Sequence, residues 1–117
     1  MVVDDEVLIR LVAVDMLLVA GFRVVEACSA DEALVLLSTG VAADLIFTDV
    51  NMPGAIDGLG LAAYVKQAHP SIPVILTSGG VPAFLMAQAG PAAVVAKPYT
   101  EAELTRVIGQ VLDRRGD

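Results

Sequence analysis

Leu45-Ile46-Phe47-Thr48 is the stretch that decides the fold: a short apolar run without alternation of polar and apolar residues, followed at once by the carboxylate of Asp49. A strand that is buried on both faces of a parallel sheet lacks a period of two. Similar short runs, rich in β-branched residues, occur at Met1–Val3, Arg23–Val25, Val74–Leu76 and Ala93–Val95. We therefore expect these five runs to be strands of one parallel sheet.

Helical stretches are predicted between and after these runs, at Glu6–Ala20, Ala30–Ser38, Leu59–His69, Ala83–Ala89 and Glu101–Arg114. Two of them begin with the spacing of a capping box, Ser29 with Glu32 and Thr100 with Glu103. Glycines at 21, 40 and 90 follow three of the helices, where a left-handed residue commonly ends a helix. Five strand–helix units in one chain predict a doubly wound α/β sandwich.

Length and composition exclude several classes of protein. A chain of 117 residues can form one domain with a hydrophobic core but not two. Arg10 and Asp15 interrupt the most apolar stretch, so no membrane span is predicted. The net charge of −7, without a cluster of Lys and Arg, argues against direct nucleic-acid binding. The single cysteine, Cys28, excludes an internal disulfide and is expected to pack as a small hydrophobe. With no secretion signal in the sequence, the expected location is cytoplasmic.

Chemically active side chains follow four of the five predicted strands: Asp4 and Asp5, Asp49, Thr77 and Ser78, and Lys97. In an open α/β sheet the ligand site lies outside the carboxyl ends of the strands. Taken singly, each of these residues would be explained as a turn residue, a cap or a solvated charge. Taken together, three carboxylates repel one another unless a cation neutralises them, and oxygen ligands without His or Cys favour Mg²⁺. An ammonium and a hydroxyl beside them could bind phosphoryl oxygens, so the pattern predicts a phosphoryl-transfer site.

Four blocks of the chain resemble the signature of response-regulator receiver domains: Val2-Val3-Asp4-Asp5-Glu6, Phe47-Thr48-Asp49-Val50-Asn51-Met52-Pro53-Gly54, Ile75-Leu76-Thr77-Ser78-Gly79 and Lys97-Pro98-Tyr99. They occur in the family's order and spacing, and the similarity covers essentially the whole chain. The resemblance implies a flavodoxin-like (βα)5 fold with strand order 2-1-3-4-5. It also implies a single receiver domain over residues 1–117.

The resemblance assigns a role to each residue of the predicted site. Asp49 would accept a phosphoryl group from the phosphohistidine of a sensor histidine kinase or a histidine phosphotransfer protein. Lys97 and Thr77 would bind phosphoryl oxygens, with the Lys97–Pro98 bond in the cis form. Four groups would hold Mg²⁺: the carboxylates of Asp5 and Asp49 directly, that of Asp4 through water, and the backbone carbonyl of Asn51. Such a domain would catalyse only its own phosphorylation and dephosphorylation, and would switch a protein-interaction surface.

The first helix leaves two interpretations open. Its apolar residues wrap nearly all the way round, so it is either covered on every side or exposes an apolar patch for a partner. Receivers typically dock this helix against the four-helix bundle of their kinase, and a homodimer is a further option. Whether the domain acts alone or within a larger regulator or hybrid kinase stays open as well.

Departures from the family pattern keep other functions under consideration. Val94 stands where receivers usually carry Tyr or Phe as a rotamer switch, so the usual coupling through that ring is not expected and a pseudo-receiver is an alternative. A haloacid-dehalogenase-like aspartyl-phosphate enzyme is a second alternative, but such enzymes usually carry Asp where this chain has Asn51. The glycine-rich segment that begins at Gly79 indicates a short or displaced fourth helix.

Overall fold

The computed structural model describes residues 1–116, which form a parallel five-stranded sheet with helices on both faces. The elements in chain order are β1 (Val2–Val3), α1 (Val7–Val19), β2 (Glu26–Ala27), α2 (Ala30–Ser38), β3 (Ile46–Asp49), α3 (Gly58–Ala68), β4 (Val74–Ser78), α4 (Ala83–Ala87), β5 (Ala93–Ala96) and α5 (Glu101–Gly116). The strand order is β2-β1-β3-β4-β5, with every pairing parallel. This confirms the doubly wound fold and the strand order implied by the four sequence blocks.

The core consists of two layers, one on each face of the sheet. On one face α2, α3 and α4 cover the sheet, with Leu37, Leu61 and Val65 among the buried residues. On the other face α1 and α5 pack through Leu17, Leu104 and other apolar side chains. The central strands β3 and β4 are buried along their whole length, which explains why their sequences show no alternation.

The second strand was predicted too early in the chain. Arg23–Val25 was expected to form it, whereas the strand is Glu26–Ala27. The register is determined by pairing with β1: the N–H of Val2 donates to the carbonyl of Val25 at 2.8 Å, and the N–H of Asp4 to that of Ala27 at 3.1 Å. Since Ala27 is fully buried while Val25 is exposed, tertiary contacts outweigh the β-branched composition that suggested the earlier position.

The helix ends agree closely with the capping signals, with one correction. Ser29 Oγ accepts a hydrogen bond from the N–H of Glu32 at 3.0 Å, and Thr100 Oγ1 accepts from the N–H of Glu103 at 3.1 Å. The Glu32 carboxylate accepts a hydrogen bond from the N–H of Cys28 at 3.0 Å.

This contact holds Cys28 in an exposed turn, so the expectation that it packs as a small hydrophobe was wrong. The fourth helix, α4, has only 5 residues and is short, as expected.

Within residues 1–116, no helix combines the length and the apolar character that crossing a membrane requires.

Candidate functional site

The register of the sheet brings the carboxyl ends of the strands to one edge. Asp49, the last residue of β3, lies beside Thr77 of β4, and Val3 of β1 lies beside Thr48. The next residue of each chain segment therefore leaves the sheet at the same edge, where Asp4 follows β1 and Lys97 follows β5. The structure thus brings together the side chains that the sequence singled out.

Three carboxylates form the centre of this edge. Asp4, Asp5 and Asp49 each place one oxygen within 4.8 Å of the other two. Asp4 and Asp49 are buried, and Asp5 is partly exposed. Burial raises the pKa of Asp4 above its ordinary value of 3.8, and the neighbouring charges of Asp49 and Asp5 raise it further. Opposing these effects, the N–H of Glu6 donates to Asp4 Oδ1 at 2.9 Å, and the charge of Lys97 also lowers the pKa.

Lys97 supplies the positive charge next to these carboxylates. Its ammonium Nζ lies 3.3 Å from Asp49 Oδ1, and the peptide bond between Lys97 and Pro98 is cis, as predicted. The N–H of Val50 donates to the same Oδ1 at 3.0 Å. Within residues 1–116 the contacts of this carboxylate thus involve Oδ1, while Oδ2 accepts no hydrogen bond.

Thr77 carries a buried hydroxyl that has no partner. Its residue is only 2% exposed, and Thr77 Oγ1 is the single buried side-chain oxygen or nitrogen without a hydrogen bond in the part of the chain that the structure describes. An unsatisfied buried polar atom costs about 1–3 kcal/mol, so such a group calls for an explanation, of which a bound ligand is one. The adjacent Ser78 is engaged, because its Oγ accepts hydrogen bonds from the N–H groups of Gly80 and Val81 at 3.2 and 3.1 Å. Of the two hydroxyls, Thr77 is therefore the one available to a ligand.

The donor set of this edge fits a hard divalent cation together with a phosphoryl group. Clustered carboxylate oxygens are the ligands that Mg²⁺ prefers, and an ammonium with a free hydroxyl provides two donors for phosphoryl oxygens. Asn51 follows Asp49 by two residues and lies in the loop of residues 51–57 between β3 and α3. Gly58, which closes this loop, could not carry a side chain, because a Cβ there would lie 2.0 Å from the carbonyl oxygen of Asp49.

Two residues near the site were named in the sequence but given no role there. Arg10 of α1 donates from Nη1 to the carbonyl of Asp4 at 2.7 Å and from Nε to Glu26 at 3.0 Å, which fixes the chain beside the acidic cluster. Tyr99 packs edge-to-face on Phe47 with ring centroids 5.5 Å apart. Burial raises the pKa of Tyr99, as do the charges of Asp4 and Asp49. Arg10 could have been noticed as the only cation of the first helix, whose one other charged residue is Asp15.

The first helix exposes much of its apolar surface. Its outward side chains include Val7, Leu8, Leu11, Val12, Leu18 and Val19, and Leu8 is 78% exposed. Part of this surface continues into a groove where Leu8, Ile9, Val12 and Met16 face Pro98 and Tyr99. Of the two interpretations of α1, complete coverage is therefore wrong. An exposed apolar patch lies directly beside the acidic edge.

His69 lies at the C-terminal end of α3, where its N–H donates to the carbonyl of Val65 at 2.7 Å. This position precedes β4 and so lies toward the amino ends of the strands, and His69 is not among the residues of the carboxylate cluster.

Comparison with known proteins gives a consistent result. Residues 1–109 match the family model described as response regulator receiver domain. The chain is 33% identical over 116 residues to the C4-dicarboxylate transport transcriptional regulatory protein DctD of Rhizobium meliloti, an alignment that covers 97% of this chain and 25% of that protein. It is 40% identical over 75 residues to the DNA-binding transcriptional regulator NtrC of Klebsiella pneumoniae, covering 64% of this chain and 16% of that protein.

Solved structures are similar over nearly the whole chain. The receiver domain of NtrX from Brucella abortus has a TM-score of 0.87 and 32% identity, with 96% of each chain covered. A response regulator receiver domain protein from Clostridium thermocellum has a TM-score of 0.90 and 27% identity, covering 98% of this chain and 94% of that one. By contrast, the chain spans a quarter or less of the two curated regulators it matches.

Proposed function

The chain belongs to the response regulator receiver domains, which accept a phosphoryl group in two-component signalling, and we propose that Asp49 is its phosphoacceptor. One observation carries the proposal: the Lys97 ammonium lies 3.3 Å from Asp49 at the acidic edge, beside the unpartnered hydroxyl of Thr77. A carboxylate, a cation and a free donor are the groups that an acyl phosphate requires. Residues 1–117 would act together as one receiver domain.

In the proposed reaction Asp49 acts as the nucleophile. Since Oδ1 is held by Lys97 and by the N–H of Val50, Oδ2 is the oxygen free to attack phosphorus. The Oδ2–P bond forms while the N–P bond of a phosphohistidine breaks, and the bonding electron pair returns to the imidazole nitrogen. Lys97 then pairs with one phosphoryl oxygen, and the Thr77 hydroxyl donates to another. Positioning and charge neutralisation account for the catalysis, since the protein contributes little other covalent chemistry.

Mg²⁺ is the proposed cofactor. The residues that would hold it are Asp4, Asp5, Asp49 and the backbone carbonyl of Asn51. When bound, the ion would neutralise charge on the carboxylates and on the phosphoryl oxygens. The raised pKa of Asp4 supports this, because burial first, and then the neighbouring charges of Asp49 and Asp5, disfavour its ionised form, which a bound cation would favour.

The proposed partner is a sensor histidine kinase or a histidine phosphotransfer protein in the cytoplasm. Receiver domains of this family accept signals from histidine kinases, and the exposed apolar patch of α1 lies beside Lys97, where a donor histidine must approach. Outside its own phosphorylation and dephosphorylation the domain would catalyse no reaction. Homodimerisation through an apolar surface is a further option, which sedimentation with and without the phosphoryl group would test.

Labelling with a small phosphodonor tests the assignment directly. Acetyl phosphate with Mg²⁺ should add one phosphoryl group that is lost in base and in hydroxylamine, as acyl phosphates are. Asp49→Asn should abolish the label, whereas Asp15→Asn, which changes the charge equally at an exposed position of α1, should retain it. A label that survives Asp49→Asn or maps to His69 would disprove the assignment. A folded domain that binds Mg²⁺ but takes up no label would instead be a pseudo-receiver.

A further inference from the structure

The loop of residues 51–57 is held by a side chain from a distant part of the sequence. Asp31, in the first turn of α2, accepts a hydrogen bond at its Oδ2 from the N–H of Ala55 at 3.1 Å, across 24 residues. Within residues 1–116 it is the one hydrogen bond that joins this loop to an element other than the flanking β3 and α3. The loop otherwise depends on the packing of its apolar residues, chiefly Met52, which is buried in the core.

The backbone next to Ala55 is shaped around the same carboxylate. Gly54 has φ +124°, a conformation that L-residues rarely adopt, and a Cβ on it would lie 2.5 Å from Asp31 Oδ2. If residue 54 carried a side chain, the Asp31 carboxylate would have to shift, so the glycine permits the contact as it stands. The hydrogen bond and the glycine are independent features that serve one contact.

Asp31 is not a member of the carboxylate cluster formed by Asp4, Asp5 and Asp49. Asp31 contacts Ala55, in the second half of the loop. The first half of the same loop contains Asn51, which follows directly after Asp49 and Val50. A ligand on an irregular loop has no sheet or helix to determine its position, so its orientation depends on contacts that hold the loop. Before Asn51 the chain is held at Val50, whose N–H donates to the carbonyl of Thr77 at 3.1 Å. After Asn51 the Asp31–Ala55 hydrogen bond is the contact of this kind.

We propose that Asp31 is a positioning residue of the metal site: by accepting the hydrogen bond from Ala55, it holds residues 51–57 in the conformation that presents the Asn51 carbonyl to Mg²⁺. This inference rests on the proposed function, since it requires Mg²⁺ to bind beside Asp49. Asp31 itself would not contact the ion. Because the buried Val50 and Met52 flank Asn51 and also restrain it, loss of the hydrogen bond should weaken Mg²⁺ binding moderately, by about three- to tenfold.

Three variants separate positioning from charge. Mg²⁺ affinity is measured by calorimetry, with tyrosine fluorescence as a second signal, since the chain has two tyrosines and no tryptophan. Asp31→Ala removes the acceptor and the charge, and should show the three- to tenfold loss. Asp31→Asn keeps an oxygen that can accept from Ala55 and should restore most of the affinity, although the charge is gone. Asp15→Ala changes the net charge as Asp31→Ala does, far from the loop, and should bind Mg²⁺ as the wild type does.

Two further measurements make the outcome decisive. Exchange of the Ala55 amide in metal-free protein should be faster in Asp31→Ala than in the wild type, and nearly unchanged in Asp31→Asn. Gly54→Ala should also weaken Mg²⁺ binding, and its effect should be smaller in the Asp31→Ala background, where the clash is relieved. Gly54→Ala also serves as the test if Asp31→Ala does not fold.

The results distinguish the two levels of inference. A wild-type domain that binds no Mg²⁺ would refute the proposed metal site itself. If the wild type binds Mg²⁺ and folded Asp31→Ala binds it equally well, only the role of Asp31 is refuted. Equal losses in Asp31→Asn and Asp31→Ala would mean that charge and not the hydrogen bond is responsible, which also overturns the positioning role.

Discussion

Asp4→Asn should make the metal-free domain more stable while weakening its response to Mg²⁺. Asp4 is buried with its carboxylate oxygen within 4.8 Å of those of Asp5 and Asp49. At such a separation two unit charges repel by about 3 kcal/mol when the effective dielectric constant is about 20. Attraction to Lys97 and screening around the partly exposed Asp5 offset much of this. Asn can still accept the hydrogen bond from Glu6, so the expected net gain is about 1–2 kcal/mol.

Thermal unfolding in EDTA at neutral pH measures this gain. With an unfolding entropy of about 2.1 cal/mol/K per residue, 1 kcal/mol corresponds to about 4 °C in a chain of this size, so Tm should rise by about 4–8 °C. Mg²⁺ should narrow the difference between the variants by mass action: at ten times the Kd it stabilises a binding-competent domain by about 1.4 kcal/mol, and Asp4→Asn should gain less. Asp15→Asn is the control, because it removes one exposed carboxylate of α1 and should change neither quantity.

The pH dependence provides an internal check on the cause. The pKa of Asp4 is raised in the folded state, so ionising Asp4 costs more free energy there than in the unfolded chain. Below the ordinary value of 3.8 Asp4 is protonated in both states and this cost is absent. As the pH rises through the folded-state pKa, the cost appears and stability is lost. The advantage of Asp4→Asn should therefore be small in acid and should grow toward neutral pH. If the variant is no more stable than the wild type in EDTA at neutral pH, the account of the acidic edge as a site of unrelieved repulsion is wrong.

Three other predictions concern the hydroxyl, the output region and the partner surface. Thr77→Val removes an unpartnered buried hydroxyl and should stabilise the metal-free domain by about 1 kcal/mol in denaturant unfolding. It should also reduce the response to beryllofluoride, which stands in for the phosphoryl group. A loss of stability would show that the hydroxyl has a partner. Hydrogen exchange with and without beryllofluoride should change across residues 78–90, and changes confined to α1 would contradict this. Leu8→Ser, at a residue that is 78% exposed, should slow phosphotransfer from a histidine kinase while labelling by acetyl phosphate continues at the wild-type rate. Equal slowing of both would place the defect in the site and not in docking.

The fold and most of the site could be predicted from the sequence because each depends on local patterns. The buried strands β3 and β4 have no alternation, and parallel pairing then brings the residues that follow them to one edge. The starts of α2 and α5 follow from side-chain capping by Ser29 and Thr100, and the stop after α1 follows from the left-handed conformation of Gly21. Both signals are local. The carboxylates, Lys97 and Thr77 were predicted to meet for this reason, and they do.

The errors and omissions arise where distant contacts decide. The position of β2 depends on its pairing with β1. The exposure of Cys28 follows from that pairing, because the strand ends at Ala27 and Cys28 already lies outside the sheet. Asp31 lies between the two capping residues Ser29 and Glu32 and was given no role of its own, since nothing near it in the chain indicates a contact with Ala55, 24 residues later. The unpartnered state of Thr77 Oγ1 is likewise a property of the folded environment, because the sequence shows only a hydroxyl at a strand end.

The neighbouring residues Thr77 and Ser78 explain how phosphorylation could be signalled without an aromatic ring at position 94. Val94 lies beside Leu76 in the sheet and packs against the core, so it has no second position comparable to that of a ring that swings out. The Thr77 hydroxyl has no hydrogen-bond partner, and Thr77 lies beside Asp49 in the sheet. Ser78 Oγ accepts hydrogen bonds from the N–H groups of Gly80 and Val81, which begin the next loop. If Thr77 shifts to donate to a phosphoryl oxygen, Ser78 moves with it and the hydrogen-bonded loop must follow.

The two glycines at 79 and 80 let that loop change its backbone angles at low cost, and α4, with only 5 residues, offers little resistance to displacement. The change in hydrogen exchange is therefore expected to begin at the residue after Thr77 and to extend through α4.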